Sequence, residues 1–160
     1  MTTIESGAAT ESIVKRWMAK SGVLHFAVHA SADARDPLAS NLQLVADSLD
    51  DGFLHTNEIS AMRITADLVV LSACETNAGP IYNGEGVMGI ARAFLVSGAR
   101  AVVGTQWPIG AETAVLMREF YTRLARREAP AAALHAAKLM VRRSPGSAHP
   151  FHWAGFVLVR

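Results

Sequence analysis

The middle of the predicted sheet is encoded by Ala66-Asp67-Leu68-Val69-Val70-Leu71-Ser72-Ala73-Cys74. No polar residue interrupts the four apolar residues Leu68–Leu71, which is typical of a strand covered on both faces of a parallel sheet. Residues 23–28 and 101–105 are two further short runs that are mainly apolar. The segments between these runs have helical periodicity. This alternation predicts an α/β fold, with a mostly parallel sheet flanked by helices on both faces.

Smaller elements are predicted from turn residues and from spacing. Residues 42–45 and 52–55 should form a hairpin around Asp50-Asp51-Gly52, followed by a short helix that ends at Arg63. Residues 31–40 contain Asp and Pro and should form a loop. Longer helices are predicted over residues 9–20, 86–97, 111–126 and 130–143, and the last strand over residues 151–159.

The composition is that of one folded domain over residues 1–160. Apolar residues make up 51% and charged residues 18%, which excludes a disordered or low-complexity chain. The net charge is +1 and the basic residues are scattered, so a nucleic-acid partner is not expected. No apolar run reaches the length of a membrane span. Cys74 is the single cysteine and cannot form an internal disulfide, so a reducing cytoplasm is the expected location.

Two residues with complementary chemistry follow two of the predicted strands. His29 comes after the apolar run at residues 23–28, and Cys74 comes after Leu68–Leu71. The carboxyl ends of parallel strands meet at one edge of a sheet, where substrates bind. A cysteine attacks a carbonyl as its thiolate, and a histidine can take the thiol proton and later protonate the leaving amine. The pair therefore indicates a nucleophile and its base. Ordinary packing of a small apolar cysteine and a core histidine is the alternative.

Several motifs resemble the CHAT domain, a family related to caspases and separases that often follows tetratricopeptide repeats. The resemblance covers about residues 9–159. The motifs that carry it are Leu24-His25-Phe26-Ala27-Val28-His29, Ala66-Asp67-Leu68-Val69-Val70-Leu71-Ser72-Ala73-Cys74-Glu75-Thr76, Gly84-Glu85-Gly86-Val87-Met88-Gly89-Ile90-Ala91-Arg92-Ala93-Phe94, Gly98-Ala99-Arg100, Gln106-Trp107-Pro108, Met117-Arg118-Glu119-Phe120-Tyr121 and His149-Pro150-Phe151-His152-Trp153-Ala154-Gly155-Phe156.

The resemblance implies a caspase-like cysteine endopeptidase with His29 as general base and Cys74 as nucleophile. The backbone N–H groups of Ala30 and Cys74 would then bind the oxyanion of the tetrahedral intermediate. A protein or peptide substrate is expected, together with tetratricopeptide-repeat regions or partners. This chemistry requires neither a metal nor an organic cofactor.

The chain departs from the family pattern in three places. Ala30 stands where the family usually has glycine, and an alanine would be strained there if the position needed a positive φ. Ile109-Gly110-Ala111 replaces a loop that often carries an acidic residue. The family's domains also begin further upstream, so we expect one or more N-terminal strands of the sheet to be missing from residues 1–160.

Three residues are candidates for the substrate pocket. In caspases the residue two positions before the cysteine lines the primary specificity pocket, and Ser72 has that position here. Glu75 follows the cysteine where caspases have a basic residue. Trp107 ends a predicted strand and is either a pocket wall or a structural residue. An Asp-selective pocket needs a fixed positive charge. We therefore predict a neutral or apolar preference.

Other interpretations explain parts of the same sequence. A catalytically silent caspase-like module that only binds proteins is the main alternative. Gly84-x-Gly86-x-x-Gly89 has the spacing of a dinucleotide-binding fingerprint, but it starts about ten residues after its strand. His25, His29 and Cys74 could approach one another, yet no further ligand has the spacing of a zinc site. We therefore predict no cofactor and no metal, and for His25 a role either in packing or in support of the catalytic residues.

Overall fold

The structure, a computed structural model, describes residues 3–31, 33, 36–72, 85–107, 110 and 112–160. Five α-helices and seven strands lie in these residues, and their number and order agree broadly with the sequence prediction. In chain order they are α1 (Glu11–Met18), β1 (Val23–Phe26), β2 (Ala30–Ser31), β3 (Asn41–Gln43), β4 (Phe53–His55), α2 (Thr56–Ala61), β5 (Leu68–Leu71), α3 (Glu85–Val96), β6 (Val102–Thr105), α4 (Glu112–Ala125), α5 (Pro130–Arg143) and β7 (Phe156–Val159).

The main sheet has four strands in the order β1-β5-β6-β7. β1 and β6 both pair with β5 in parallel, and β7 pairs with β6 antiparallel. The predicted mostly parallel sheet is therefore confirmed. The register aligns Val23 with Leu68 and Phe26 with Leu71, so that β1 and β5 begin and end level with each other.

Alternate residues of the central strands enter two separate cores. One face of the sheet contributes Val69 and Leu71, which pack with residues of α1, α3 and the hairpin. The opposite face contributes Leu68 and Val70, which pack with residues of α4 and α5. Successive side chains of a strand point to opposite faces, so an uninterrupted apolar run is stable only between two such layers. This explains why β5 carries no polar residue.

A second, smaller sheet follows the first strand and has the order β2-β3-β4. The predicted hairpin is confirmed, because β3 and β4 pair antiparallel from Asn41 with His55 to Gln43 with Phe53. The loop predicted over residues 31–40 is interrupted at both ends. β2 occupies its start, and a 3-10 turn, Pro37–Ala39, occupies its end, where the Asp36 side chain accepts a hydrogen bond from the N–H of Leu38. Elements of two or three residues are too short to produce a periodic pattern.

Two strands are shorter than the sequence predicts. β1 ends at Phe26, so His29 lies in the connection to β2 and not at the last strand position. β7 begins only at Phe156, because Pro150–His152 form a 3-10 turn. The side chain of His149 accepts a hydrogen bond from the N–H of Phe151 and thereby caps this turn.

Candidate functional site

The site is built at the edge of the main sheet where β1, β5 and β6 end, called the site edge here. These three strands are parallel, so their carboxyl ends point the same way. In the described part of the chain, the candidate residues that follow these ends are His29 after β1, Ser72 after β5 and Trp107 after β6. Cys74 and Glu75 lie outside the described residues. Three of the sequence-predicted side chains thus come from neighbouring strand ends.

The backbone at His29 is held by the smaller sheet. The carbonyl oxygen of His29 accepts a hydrogen bond of 2.8 Å from the N–H of Gln43. The next residue, Ala30, pairs with Leu42 across β2 and β3. His29 itself is exposed to solvent. The hairpin therefore fixes the path of the chain directly after β1 while the imidazole side remains accessible.

The register also determines where the N–H of Ala30 points. In an antiparallel pair, hydrogen-bonded and non-hydrogen-bonded residue pairs alternate. The hydrogen bond between His29 and Gln43 makes the next pair, Ala30 with Leu42, the non-hydrogen-bonded type. Because β3 is the only neighbour of β2 among the described strands, the Ala30 N–H faces the outer side of β2. The Ala30 N–H is therefore not used in the β2–β3 ladder.

Ala30 is compatible with its backbone conformation. Among the described non-glycine residues, only Arg127 has a positive φ, so the strain considered for alanine at position 30 does not arise. Its side chain is buried, with 1% of its surface exposed.

We expect Ala30→Gly to lower the free energy of unfolding by about 1 kcal/mol, because glycine in a strand loses more chain entropy on folding. Urea denaturation measures this value. Gly146→Ala is the reciprocal variant: Gly146 has a φ of +81° with open space around it, so alanine should be strained there by backbone conformation alone. A gain in stability for Ala30→Gly would contradict the extended conformation of β2.

A chain of three polar side chains crosses the site edge. The Oγ of Ser72 lies 3.0 Å from Nε2 of His25. The hydroxyl of Tyr121 lies 2.8 Å from Nδ1 of the same imidazole, and the two rings are stacked with centroids 5.5 Å apart. These hydrogen-bonded side chains thus link α4, β1 and the end of β5. From the sequence we predict for His25 a role either in packing or in support of the catalytic residues, and we assign no role to Tyr121. A separation of 96 residues leaves no local signal for this contact.

His25 and Tyr121 are both held in their neutral forms. Part of the surface of His25 is exposed, but its ring nitrogens face Tyr121 and Ser72. Desolvation therefore lowers the pKa of His25 below its ordinary value of 6.5. Burial raises the pKa of the Tyr121 phenol. A neutral imidazole has one N–H donor and one acceptor nitrogen. The direction of both hydrogen bonds therefore depends on a single proton on the His25 ring.

The contacts of His25 have the layout of a hydrolase triad, with a hydroxyl on one ring nitrogen and an orienting group on the other. A triad base must accept the hydroxyl proton at Nε2, so its proton must be on Nδ1. An aspartate enforces this tautomer, because a carboxylate can only accept. Tyr121 carries a proton that it can donate to Nδ1, which leaves Nε2 as the N–H. The phenol therefore favours the tautomer in which His25 is a donor to Ser72 and not its base.

Trp107 has structural contacts at the end of β6. Its indole N–H donates a hydrogen bond of 3.0 Å to the carbonyl oxygen of Phe151. Its ring stacks on the Phe151 ring, with 6.5 Å between the centroids and 19° between the planes. The donor is thus occupied within the protein, and a substrate would meet the ring of Trp107 rather than its N–H.

Carboxylates that could hold a cation occur in one cluster of the described residues. Oxygens of Glu11, Asp50 and Glu58 all lie within 4.8 Å of one another. The Nζ of Lys15 contacts the three side chains at 2.7, 2.7 and 2.8 Å, respectively. An ammonium group therefore has the position that a cation would need. The cluster is a structural connection between α1, the β3–β4 turn and α2.

Comparison with known proteins gives consistent results. The family model described as CHAT domain matches residues 2–160. Tetratricopeptide repeat protein 28 of Mus musculus is 31% identical over 124 residues, which is 76% of this chain and 5% of that protein. The protein of the same name from Homo sapiens is 32% identical over 124 residues, covering 77% of this chain and 4% of that protein. The chain thus spans about a twentieth of the length of these relatives.

The helices in the described residues fall short of the length and apolar character needed to cross a lipid bilayer. The family match extends over nearly all of the sequence, and the α/β fold with a mostly parallel sheet is compatible with a caspase-like architecture. The chain belongs to the CHAT-domain family, which is related to the caspase-like peptidases.

Proposed function

We propose that this chain is a cysteine endopeptidase in which Cys74 is the nucleophile and His29 the general base and acid. The observation that carries the proposal is the level ending of two adjacent parallel strands. Phe26 and Leu71 are register partners and the last residues of β1 and β5. His29 follows the first by three residues, and Cys74 follows the second by three residues.

Simple reach supports a contact between the two side chains. Neighbouring strands lie about 4.8 Å apart, and three residues span at most about 10 Å. Chains that leave level strand ends by equal lengths can therefore bring an imidazole and a thiol within reach of each other. Membership in a family related to caspase-like peptidases agrees with this order of histidine and cysteine.

The proposed reaction has two stages. His29 takes the thiol proton of Cys74, and the thiolate attacks the peptide carbonyl carbon. The backbone N–H groups of Ala30 and Cys74 stabilise the oxyanion. Collapse of the intermediate breaks the C–N bond, and His29 gives its proton to the leaving amine. Water, deprotonated by His29, then hydrolyses the thioester and releases the acid, which restores the thiol.

The proposed pocket prefers a neutral or apolar side chain of the substrate. Ser72 is the described candidate beside the nucleophile, with Trp107 on the neighbouring strand end, and Glu75 completes the set. None of these residues supplies the positive charge that an Asp-selective pocket needs. We expect a protein or peptide substrate with an uncharged residue before the cleaved bond. The names of the relatives suggest tetratricopeptide-repeat regions or partners around this domain. A single nucleophilic cysteine fits a reducing cytoplasm.

Alkylation of the thiol tests the dyad without a known substrate. With iodoacetamide at pH 7, we expect Cys74 to react at least about tenfold faster in the wild type than in His29→Ala, because the imidazole favours the thiolate. His135→Ala is the matched control, since His135 is exposed on α5, which carries none of the proposed site residues. Equal rates in the wild type and His29→Ala would contradict the dyad and favour a catalytically silent, protein-binding module.

A further inference from the structure

We infer that Tyr121 and His25 are positioning residues that hold the Ser72 hydroxyl at the end of β5 and thereby orient the strand end leading to Cys74. The expected effect on Cys74 rests on the proposed function. The hydrogen bonds among Tyr121, His25 and Ser72 do not depend on it. Three elements that are far apart in sequence meet in these hydrogen bonds: α4, β1 and β5.

The chain of contacts fixes Ser72 in two ways. Its backbone N–H donates a hydrogen bond of 2.9 Å to the carbonyl oxygen of Phe26, which continues the β1–β5 ladder beyond the last strand residue. Its Oγ contacts Nε2 of His25 at 3.0 Å. His25 is in turn neighboured by Val70 in the strand register, on the sheet face that packs against α4 and α5. Ser72 is thus anchored through main chain and side chain, two residues before Cys74.

Tyr121 gives the network its direction. A phenol has one proton to donate, and within the described residues its hydrogen-bond partner is Nδ1 of His25. Donation to Nδ1 leaves the imidazole proton on Nε2, and this N–H then donates to the Ser72 oxygen. The opposite arrangement would leave the phenol proton without that acceptor. Ring stacking between His25 and Tyr121 holds the imidazole plane in place.

The expected consequence is kinetic and follows from geometry. A nucleophile must be held close to its productive position, and a displacement of about 1 Å can cost about 10²-fold in rate. Loss of one neutral hydrogen bond from the chain should loosen Ser72 and slow the reaction of Cys74 by about fivefold. Substrate binding would be affected less than the chemical step.

The first measurement is the tautomer of His25, read from the ¹⁵N shifts of its ring nitrogens near pH 7. The His25→Gln variant identifies the signal. We expect protonated Nε2 and unprotonated Nδ1 in the wild type, and appearance of the other tautomer in Tyr121→Phe. A wild-type imidazole with its proton on Nδ1 would overturn the inference, because His25 would then accept from Ser72.

The second measurement is the iodoacetamide rate of Cys74 in four variants. We expect about fivefold slowing in Tyr121→Phe and in Ser72→Ala, wild-type rates in Ser72→Thr, and no additional slowing in the double variant Tyr121→Phe/Ser72→Ala. A purely structural role would not be rescued by the hydroxyl of threonine. Thr122→Val, which removes an exposed hydroxyl from the next position of α4, is the matched control and should react as the wild type does.

The two proposals fail in different ways. If His29→Ala leaves the alkylation rate unchanged, the dyad is wrong, whatever the tautomer of His25. If His29→Ala slows the reaction but Tyr121→Phe and Ser72→Ala do not, the dyad stands and the positioning role is overturned. Thermal unfolding of each variant separates either result from a loss of folded protein.

Discussion

Replacement of Cys74 by alanine should abolish hydrolysis of dye-labelled casein, because no other side chain of this chain would form the thioester. His29→Ala should retain a weak activity, lowered by about 10³-fold, since the thiol is still present but lacks its base and its proton donor. Release of soluble dye at pH 7 measures both effects. This is the largest change in activity that the proposed mechanism predicts.

The comparison depends on a conservative variant and a control. Cys74→Ser keeps the shape of the side chain but replaces a thiol by a hydroxyl of much higher pKa, so it should be as inactive as Cys74→Ala. His135→Ala should cleave as the wild type does. Equal cleavage by the wild type and Cys74→Ala would show that another group is responsible. A wild type without activity on casein would favour the protein-binding alternative.

The second large effect is on stability and concerns Lys15. We expect Lys15→Met to lower the free energy of unfolding by about 3 kcal/mol, because it leaves the buried Glu11 carboxylate and two partly exposed carboxylates without their partner. The Glu11 side chain is only 1% exposed and also accepts a hydrogen bond of 2.8 Å from the N–H of Gly52. Glu11 therefore cannot turn out to solvent without breaking the hairpin connection. Urea denaturation at pH 7 measures the loss.

The charges of Lys15 and its three acidic neighbours make the free energy of unfolding depend on pH. Desolvation acts to lower the pKa of Lys15, but hydrogen bonds to Asp50, Glu11 and Glu58 outweigh it and raise that pKa. Desolvation acts to raise the pKa of Glu58, but hydrogen bonds from Lys15 and from the N–H of His55 lower it. The raised lysine pKa stabilises the fold below its ordinary value of 10.5, and the lowered carboxyl pKa stabilises it above 4.5.

In Lys15→Met, the free energy of unfolding should rise, and not fall, as the pH is lowered below 7. Without a cation between them, burial and mutual repulsion disfavour the charged forms of the three neighbouring carboxylates. Protonation then favours the folded state, so the variant should gain stability between pH 7 and 5. The wild type should not gain stability over this interval, because the lowered Glu58 pKa favours the ionised form in the folded state.

Two further variants separate the cluster from ordinary surface charge. Arg100 and Asp67 form an exposed ion pair, with side chains 78% and 68% exposed, so Arg100→Met should change the unfolding free energy little. Glu11→Gln in the Lys15→Met background should recover part of the lost stability, because it removes one buried charge. Similar small effects of Lys15→Met and Arg100→Met would contradict the structural role of the cluster.

The agreement between sequence and structure is best for elements whose signal is local. The uninterrupted run at β5 requires cover on both faces, and the two cores supply it. The turn at Asp50-Asp51-Gly52 predicts the hairpin, and Gly52 has the positive φ, 88°, that such a turn needs. The ends of the strands are predicted less accurately from the sequence. β1 ends before His29 because the chain crosses to the smaller sheet. An apolar run gives no signal for the residue at which the chain leaves one sheet for another.

The sequence alone predicts the order of helices and strands, the burial of the central strand on both faces, and the positions of His29 and Cys74 after neighbouring strands. These features arise from contacts along one segment, whose period and turn residues are visible in a few consecutive positions. Three features are visible in the folded chain and not in the sequence: the direction of the Ala30 N–H, the contact between Tyr121 and His25, and the ion pairs of Lys15 with three acidic side chains. Those contacts depend on strand register and on segments up to 96 residues apart, which no local pattern encodes.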